Sequence, residues 1–136
     1  MNLVEIVTPL HLSTKRNYLD RMIDDKVECM KIAKKYGKEY WDGDRRYGYG
    51  GYKYIPGRWK PVAEALIEKY ELGDNSSILD IGCGKAYLLL EMKKLLPGLQ
   101  VTGFDISSHA LENALSPVKE HLFIHSAKDY LPFESD

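Results

Sequence analysis

The 136-residue chain has the length of one domain, and 44% hydrophobic against 29% charged residues is the balance of a globular fold with a single core. Its net charge of −1 supplies no basic face of the kind that nucleic acid or an anionic membrane requires, so neither is an expected partner. Cys29 and Cys83 stand alone, without a CxxC or a clustered Cys/His spacing, which argues against a metal site or a disulfide framework and fits a reducing compartment.

In chain order, MNLVEIVTPLHLSTKRNYLD has no basic stretch before an apolar run, and nothing approaches the ~18 apolar residues of a membrane span. A cytoplasmic protein is expected. Leu19, Met22, Ile23, Val27, Met30 and Ala33 then recur at helical spacing, predicting an amphipathic helix over 19–36 that stops at Gly37. Residues 36–58 hold six of the ten tyrosines and six of the eleven glycines. They follow neither a 3.6 nor a long 2.0 period, so a loop with at most a short strand or turn is expected.

Trp59, Val62, Ala63, Leu66, Ile67 and Tyr70 predict a second helix, with Pro61 in its first turn, where a missing N–H costs little. After GDNSS, SILDI reads as a strand and Leu88, Leu89, Met92, Leu95 and Leu96 as a helix face ended by Pro97-Gly98. QVTGFDI (100–106) reads as the next strand, followed by a helix capped by Ser107 or Ser108. HLFIHSA (121–127) reads as a third strand, before the loop KDYLPFESD. Alternating strands and helices from residue 77 onward predict βαβ units and a parallel sheet.

The chemistry concentrates at the first strand end. Ligands of open parallel sheets bind at the carboxyl ends of the strands. There Gly82 and Gly84 follow Asp80, and Asp105 ends the next strand 21 residues after Gly84. Glycines permit positive φ and let a ligand lie against the main chain, while an acid at the second strand end can accept both hydroxyls of a ribose. A Walker loop would need G-x-x-x-x-G-K-[ST], which is missing. The dinucleotide fingerprint G-x-G-x-x-G would put its third glycine at Tyr87. A smaller adenosine ligand with a cation and an amino-acid tail suits Asp80, whose charge favours a cation and disfavours phosphate.

In the tyrosine–glycine stretch, Tyr47, Tyr49 and Tyr52 offer aromatic faces to such a cation, and Arg58 offers a bidentate partner for a carboxylate. Stacking of these rings and Arg45/Arg46 on nucleic-acid bases is the weaker reading, given the acids nearby. Lys85 is expected to be a solvated residue at a helix start, and Cys83 a small buried filler. His11, His109, His121 and His125 are expected at the surface or at strand ends.

ILDIGCGKAYLL together with VTGFDIS resembles motifs I and II of the class I S-adenosylmethionine-dependent methyltransferases. HSAKDYLPFESD resembles the stretch after their third strand. The resemblance implies a Rossmann-like methyltransferase fold, a parallel sheet with flanking helices, and S-adenosyl-L-methionine as cofactor. It places Gly82, Cys83 and Gly84 along the methionine part of that cofactor, with Asp80 just before them. Asp105 falls at the ribose, Ile106 beside the adenine, and Ala127 and Lys128 near the adenine amino group. Ala86 stands where the family often has a third glycine. Ser126 or Ala127 stands where it has an aspartate, with Asp129 as the nearby substitute.

The resemblance further implies methyl transfer to a small-molecule acceptor; no catalytic base is assigned. A non-catalytic adenosine-ligand binding or assembly module is the alternative, and a degenerate NAD domain a third. The expected organisation is a helical and Tyr/Gly-rich cap segment over 1–58 and a cofactor-binding domain over 59–136. The family sheet has more strands than the three counted here, so a C-terminally incomplete domain is expected. Self-association of the chain is one expected way to cover the bare sheet edge.

Overall fold

The computed structural model describes residues 4–13 and 25–133. Helix α1 spans Thr8–Leu12. Helix α2 spans Lys26–Ala33, capped by Asp25, whose carboxylate accepts the Glu28 N–H at 3.1 Å. The expected helix over 19–36 is therefore seen in its later half, and Leu19, Met22 and Ile23 lie outside the described residues. Its buried face also differs from the one expected. Val27 and Met30 are more than half exposed, while Cys29 is buried.

The tyrosine–glycine stretch, expected as a loop with at most a short strand or turn, carries a helix instead. Lys38–Asp42 forms a short helix, α3, that buries Trp41. Helix α4 (Lys60–Lys69) turns Val62 and Ala63 fully inward, as its spacing predicts, but leaves Tyr70 exposed past its end. Strand β1 (Ser77–Ile81), helix α5 (Tyr87–Leu95), strand β2 (Gln100–Asp105), helix α6 (Ser108–Glu112), a single 3-10 turn and strand β3 (Leu122–Ile124) follow among the described residues.

The three strands lie in the order β1-β2-β3, all parallel, with Ile78 beside Val101 and Phe104 beside Phe123. This is the Rossmann-like arrangement expected. Strand β3 is shorter than the expected 121–127, because its pairing stops at Ile124 opposite Asp105. Helix α5 packs on the sheet through Leu89 and Met92, and α4 packs on α5. Gly103 in β2 has no room for a side chain. A Cβ there would stand 2.9 Å from Leu122 Cδ2 and 3.0 Å from both Cys83 Sγ and Leu89 Cδ1. The core thus lies between the sheet and α5, with Leu99, Val101 and Val118 closing it. No helix among the described residues is long and apolar enough to cross a membrane.

Candidate cofactor site

A cleft of about 400 Å³ opens across the carboxyl ends of the three strands, within the size range of small-molecule sites. Ile81 and Gly82 line it from β1, Phe104, Asp105 and Ile106 from β2, and His125, Ser126, Ala127 and Lys128 from beyond β3. The cap closes the remaining wall with Tyr36, Tyr40, Trp41 and Tyr49. Of the residues predicted to bind, Gly82, Asp105, Ile106, Ala127 and Lys128 come together here, with Tyr49 from the cap. Asp80, Cys83, Gly84, Tyr52 and Arg58 do not line the cleft.

The two glycines of the turn do different things. Gly82 has φ +78° and a Cβ on it would meet no atom within 4 Å, so its backbone lies open to the cleft. Gly84 has φ +57°, but there a Cβ would stand 2.6 Å from Cη2 of Trp41. Its bareness serves the cap rather than a ligand. The N–H groups of Gly82 and Cys83 both donate to the Phe104 carbonyl, at 2.9 and 3.1 Å, which bends the chain away from β1. Ala86 then adopts φ +55°, the left-handed conformation that a glycine at this place would take without steric penalty.

Asp105 knits the site. Its Oδ2 accepts the Gly84 N–H at 2.9 Å and its Oδ1 accepts the Ser107 N–H at 2.8 Å, so the acid joins the glycine turn to the start of α6. Each carboxylate oxygen keeps further acceptor capacity for a ligand hydroxyl. Asp80 lies half-buried beneath the turn. Burial pushes its carboxyl above the usual range, and the Asp105 charge adds to the shift. Burial, with Asp80 and Asp105 nearby, pushes the Cys83 thiol up to about 12, which leaves it a filler and no nucleophile.

Lys85, expected in solvent, is 4% exposed. Its ammonium donates to both oxygens of Asp42, at 2.7 and 2.8 Å, and to the Tyr52 carbonyl at 2.8 Å. Three donors meet three acceptors, which is what a buried ammonium requires. Asp42 Oδ2 also meets His109 Nε2 at 2.7 Å, so His109 is likewise tied into the fold rather than free at the surface. Burial raises the Asp42 carboxyl, but the hydrogen bonds from Lys85 and His109 outweigh it and hold the group below its ordinary value.

The cap is a continuous run of rings. Trp41 stacks on Tyr49 at 5.2 Å, Tyr49 meets Tyr52 at 4.6 Å, and Tyr52 stacks on Tyr87 of α5 at 5.1 Å. The Trp41 indole N–H is shared between the Tyr36 carbonyl at 3.1 Å and the Ser107 hydroxyl at 2.9 Å. Tyr52 is therefore wedged between rings, with burial pushing its phenol up to about 12. Tyr47 carries the Arg46 guanidinium 5.3 Å above its ring and lies apart from the cleft.

Sequence reasoning did not single out Tyr36, Tyr40, Trp41 or His125 as site residues. The cleft face of a cap is set by tertiary packing, which local spacing does not carry. His125 Nε2 is buried without a hydrogen-bond partner among the described residues, in a ring 5.1 Å from Phe104 and edge-on to it. An open glycine backbone, a strand-end acid and an unpaired nitrogen beside an aromatic wall suit a planar, polar ligand such as an adenosine cofactor.

Residues 72–128 match a family model described as a methyltransferase domain. The malonyl-[acyl-carrier protein] O-methyltransferase of Hahella chejuensis (strain KCTC 2396) is 31% identical over 65 residues, covering 48% of this chain and 23% of that protein. The ribosomal RNA large subunit methyltransferase G of Shewanella woodyi (strain ATCC 51908 / MS32) is 40% identical over 52 residues, covering 38% of this chain and 12% of that protein. A crystal structure of coclaurine N-methyltransferase bound to N-methylheliamine and SAH is 15% identical, with a TM-score of 0.43 over 88% of this chain and 40% of that one. The chain thus spans less than a quarter of the length of the curated relatives it matches.

Proposed function

We infer, from the match of residues 72–128 to a methyltransferase-domain model and from the geometry of the cleft, that this chain is a class I S-adenosylmethionine-dependent methyltransferase and binds the S-adenosyl cofactor across the carboxyl ends of β1, β2 and β3. The observation that carries the reading is the pairing of an open Gly82 backbone with the Asp105 carboxylate at the mouth of one cleft. When bound, the cofactor supplies an electrophilic methyl group on a sulfonium, so the protein's share is placement and exclusion of water.

Each side chain has a part in that placement. Asp105, held by the Gly84 and Ser107 N–H groups, accepts the ribose hydroxyls. Ile106 lies against the adenine, with Ala127 and Lys128 at its edge. Gly82 admits the methionine part against bare backbone, while Cys83 and Gly84 shape the turn behind it. The rings of Tyr40 and Trp41 face the cleft, where a sulfonium would gain about 0.5–2 kcal/mol from an aromatic face. A small-molecule acceptor is proposed with it, since a net charge of −1 supplies no general basic face for nucleic acid.

Calorimetric titration with S-adenosylhomocysteine tests the reading, with NAD as the control. Binding of the first and none of the second is expected; no binding of S-adenosylhomocysteine by the folded chain would refute it. Asp105→Ala should abolish measurable binding and also cost about 2 kcal/mol of stability, because it leaves two backbone N–H groups without partners. A stable variant with unchanged affinity would take Asp105 out of the ribose role.

A further inference from the structure

The cap and the glycine turn meet at two adjacent points in step. Trp41 fills the space that a side chain at Gly84 would need, and the next residue, Asp42, takes the ammonium of the next residue, Lys85. Consecutive residues of α3 therefore dock on consecutive residues of the turn, across 43 positions of sequence. The same short helix carries Tyr40 and Trp41, two of the rings in the cleft wall. Moving α3 would move that wall.

We propose that Asp42 is a positioning residue for cofactor binding: by clasping Lys85 it holds the Tyr40–Trp41 wall against the cleft, and so sets the affinity for the cofactor. The proposal rests on the cofactor reading above. Its physical basis is that Lys85 is buried and fully satisfied only while α3 is seated. An ammonium deprived of its carboxylate must reach water, and all of its partners, Asp42 and the Tyr52 carbonyl, belong to the cap that covers it. What opens the clasp is thus the stranded cation and not the loss of the carboxylate as such. His109, on the far side of Asp42, is partly exposed and can exchange its partner for water.

That distinction makes the proposal testable with the full chain. Asp42→Asn should weaken binding of S-adenosylhomocysteine by about tenfold and speed amide hydrogen exchange in residues 38–54, with exchange in α5 and β2 unchanged. Adding Lys85→Met to Asp42→Asn removes the stranded charge and should restore both affinity and cap protection to near the parent values. Failure of the double variant to recover, or an Asp42→Asn protein that binds as the parent does, would overturn the proposal. If the parent chain itself does not bind S-adenosylhomocysteine, the cofactor reading fails first and takes this inference with it. Faster exchange throughout the Asp42→Asn protein, in α5 and β2 as well as the cap, would mark a merely structural role and would also overturn it.

Discussion

Gly82 and Gly84, two residues apart in one turn, are opposite experiments. Alanine at Gly82 meets no protein atom, so Gly82→Ala should cost only the ~1–2 kcal/mol of a left-handed alanine, yet weaken cofactor binding by putting a methyl group into the cleft. Alanine at Gly84 collides with the Trp41 ring and should cost about 3 kcal/mol or more, strain and clash together. Denaturant unfolding of the two variants, with titration of the first, checks both. Asp80 gives a third test at this scale. Its carboxyl is raised, first by burial and then by Asp105, so its contribution to stability is present below the unfolded value near pH 4 and is lost as pH rises through the folded value. Asp80→Asn should therefore be more stable than the parent at pH 7 and no more stable at pH 3, by thermal unfolding at each pH. Equal stability at both pH values would mean that the charge on Asp80 is not penalised by the fold.

Among the elements, the short helix α3 is the least predictable, and its side chains reach both the glycine turn and the start of α6. The glycine turn and Asp105 were legible because their chemistry is local: spacing alone puts a bare loop and an acid at neighbouring strand ends. The role of Trp41 and the burial of Lys85 were not, since each depends on a partner more than 40 residues away. Lys85 looked solvated because nothing adjacent to it in sequence announces Asp42. The face of α2 was misread for a related reason, since Cys29 and not Val27 or Met30 turns inward. Periodicity finds a helix more easily than it finds which side is covered. The acid limb of stability should carry the signature of α3. Asp42 is held below its ordinary value, so its contribution is present above about pH 4 and is lost as pH falls below it, opposite in sign to Asp80. Substituting Asp42 by Asn should flatten the loss of stability between pH 5 and the folded value, and an unaltered acid limb would place that loss elsewhere. Its size is limited by the partial exposure of the Asp42 side chain.

For the molecule as a whole, the sheet has two margins among the described residues, and Ile124 at the end of the β3 margin is 63% exposed. Strand β1 pairs only with β2 among the described residues, and Ile81 at its end is 49% exposed. A parallel strand with one unpaired side and an apolar end can accept another strand, and a second copy of the chain is the source proposed here. Sedimentation velocity should therefore detect concentration-dependent association, reduced by Ile81→Lys. A monomer at every concentration would remove self-association as the way this edge is covered. The clasp between α3 and the glycine turn has one more consequence, in time rather than in space. During synthesis Trp41 and Asp42 leave the ribosome before Gly84, Lys85, Ser107 and His109 exist, so the cap has nothing to dock on until both β1 and the start of α6 have been made. Part of the cleft wall is thus translated before the turn that seats it, and it can dock only once that turn and the start of α6 have been made.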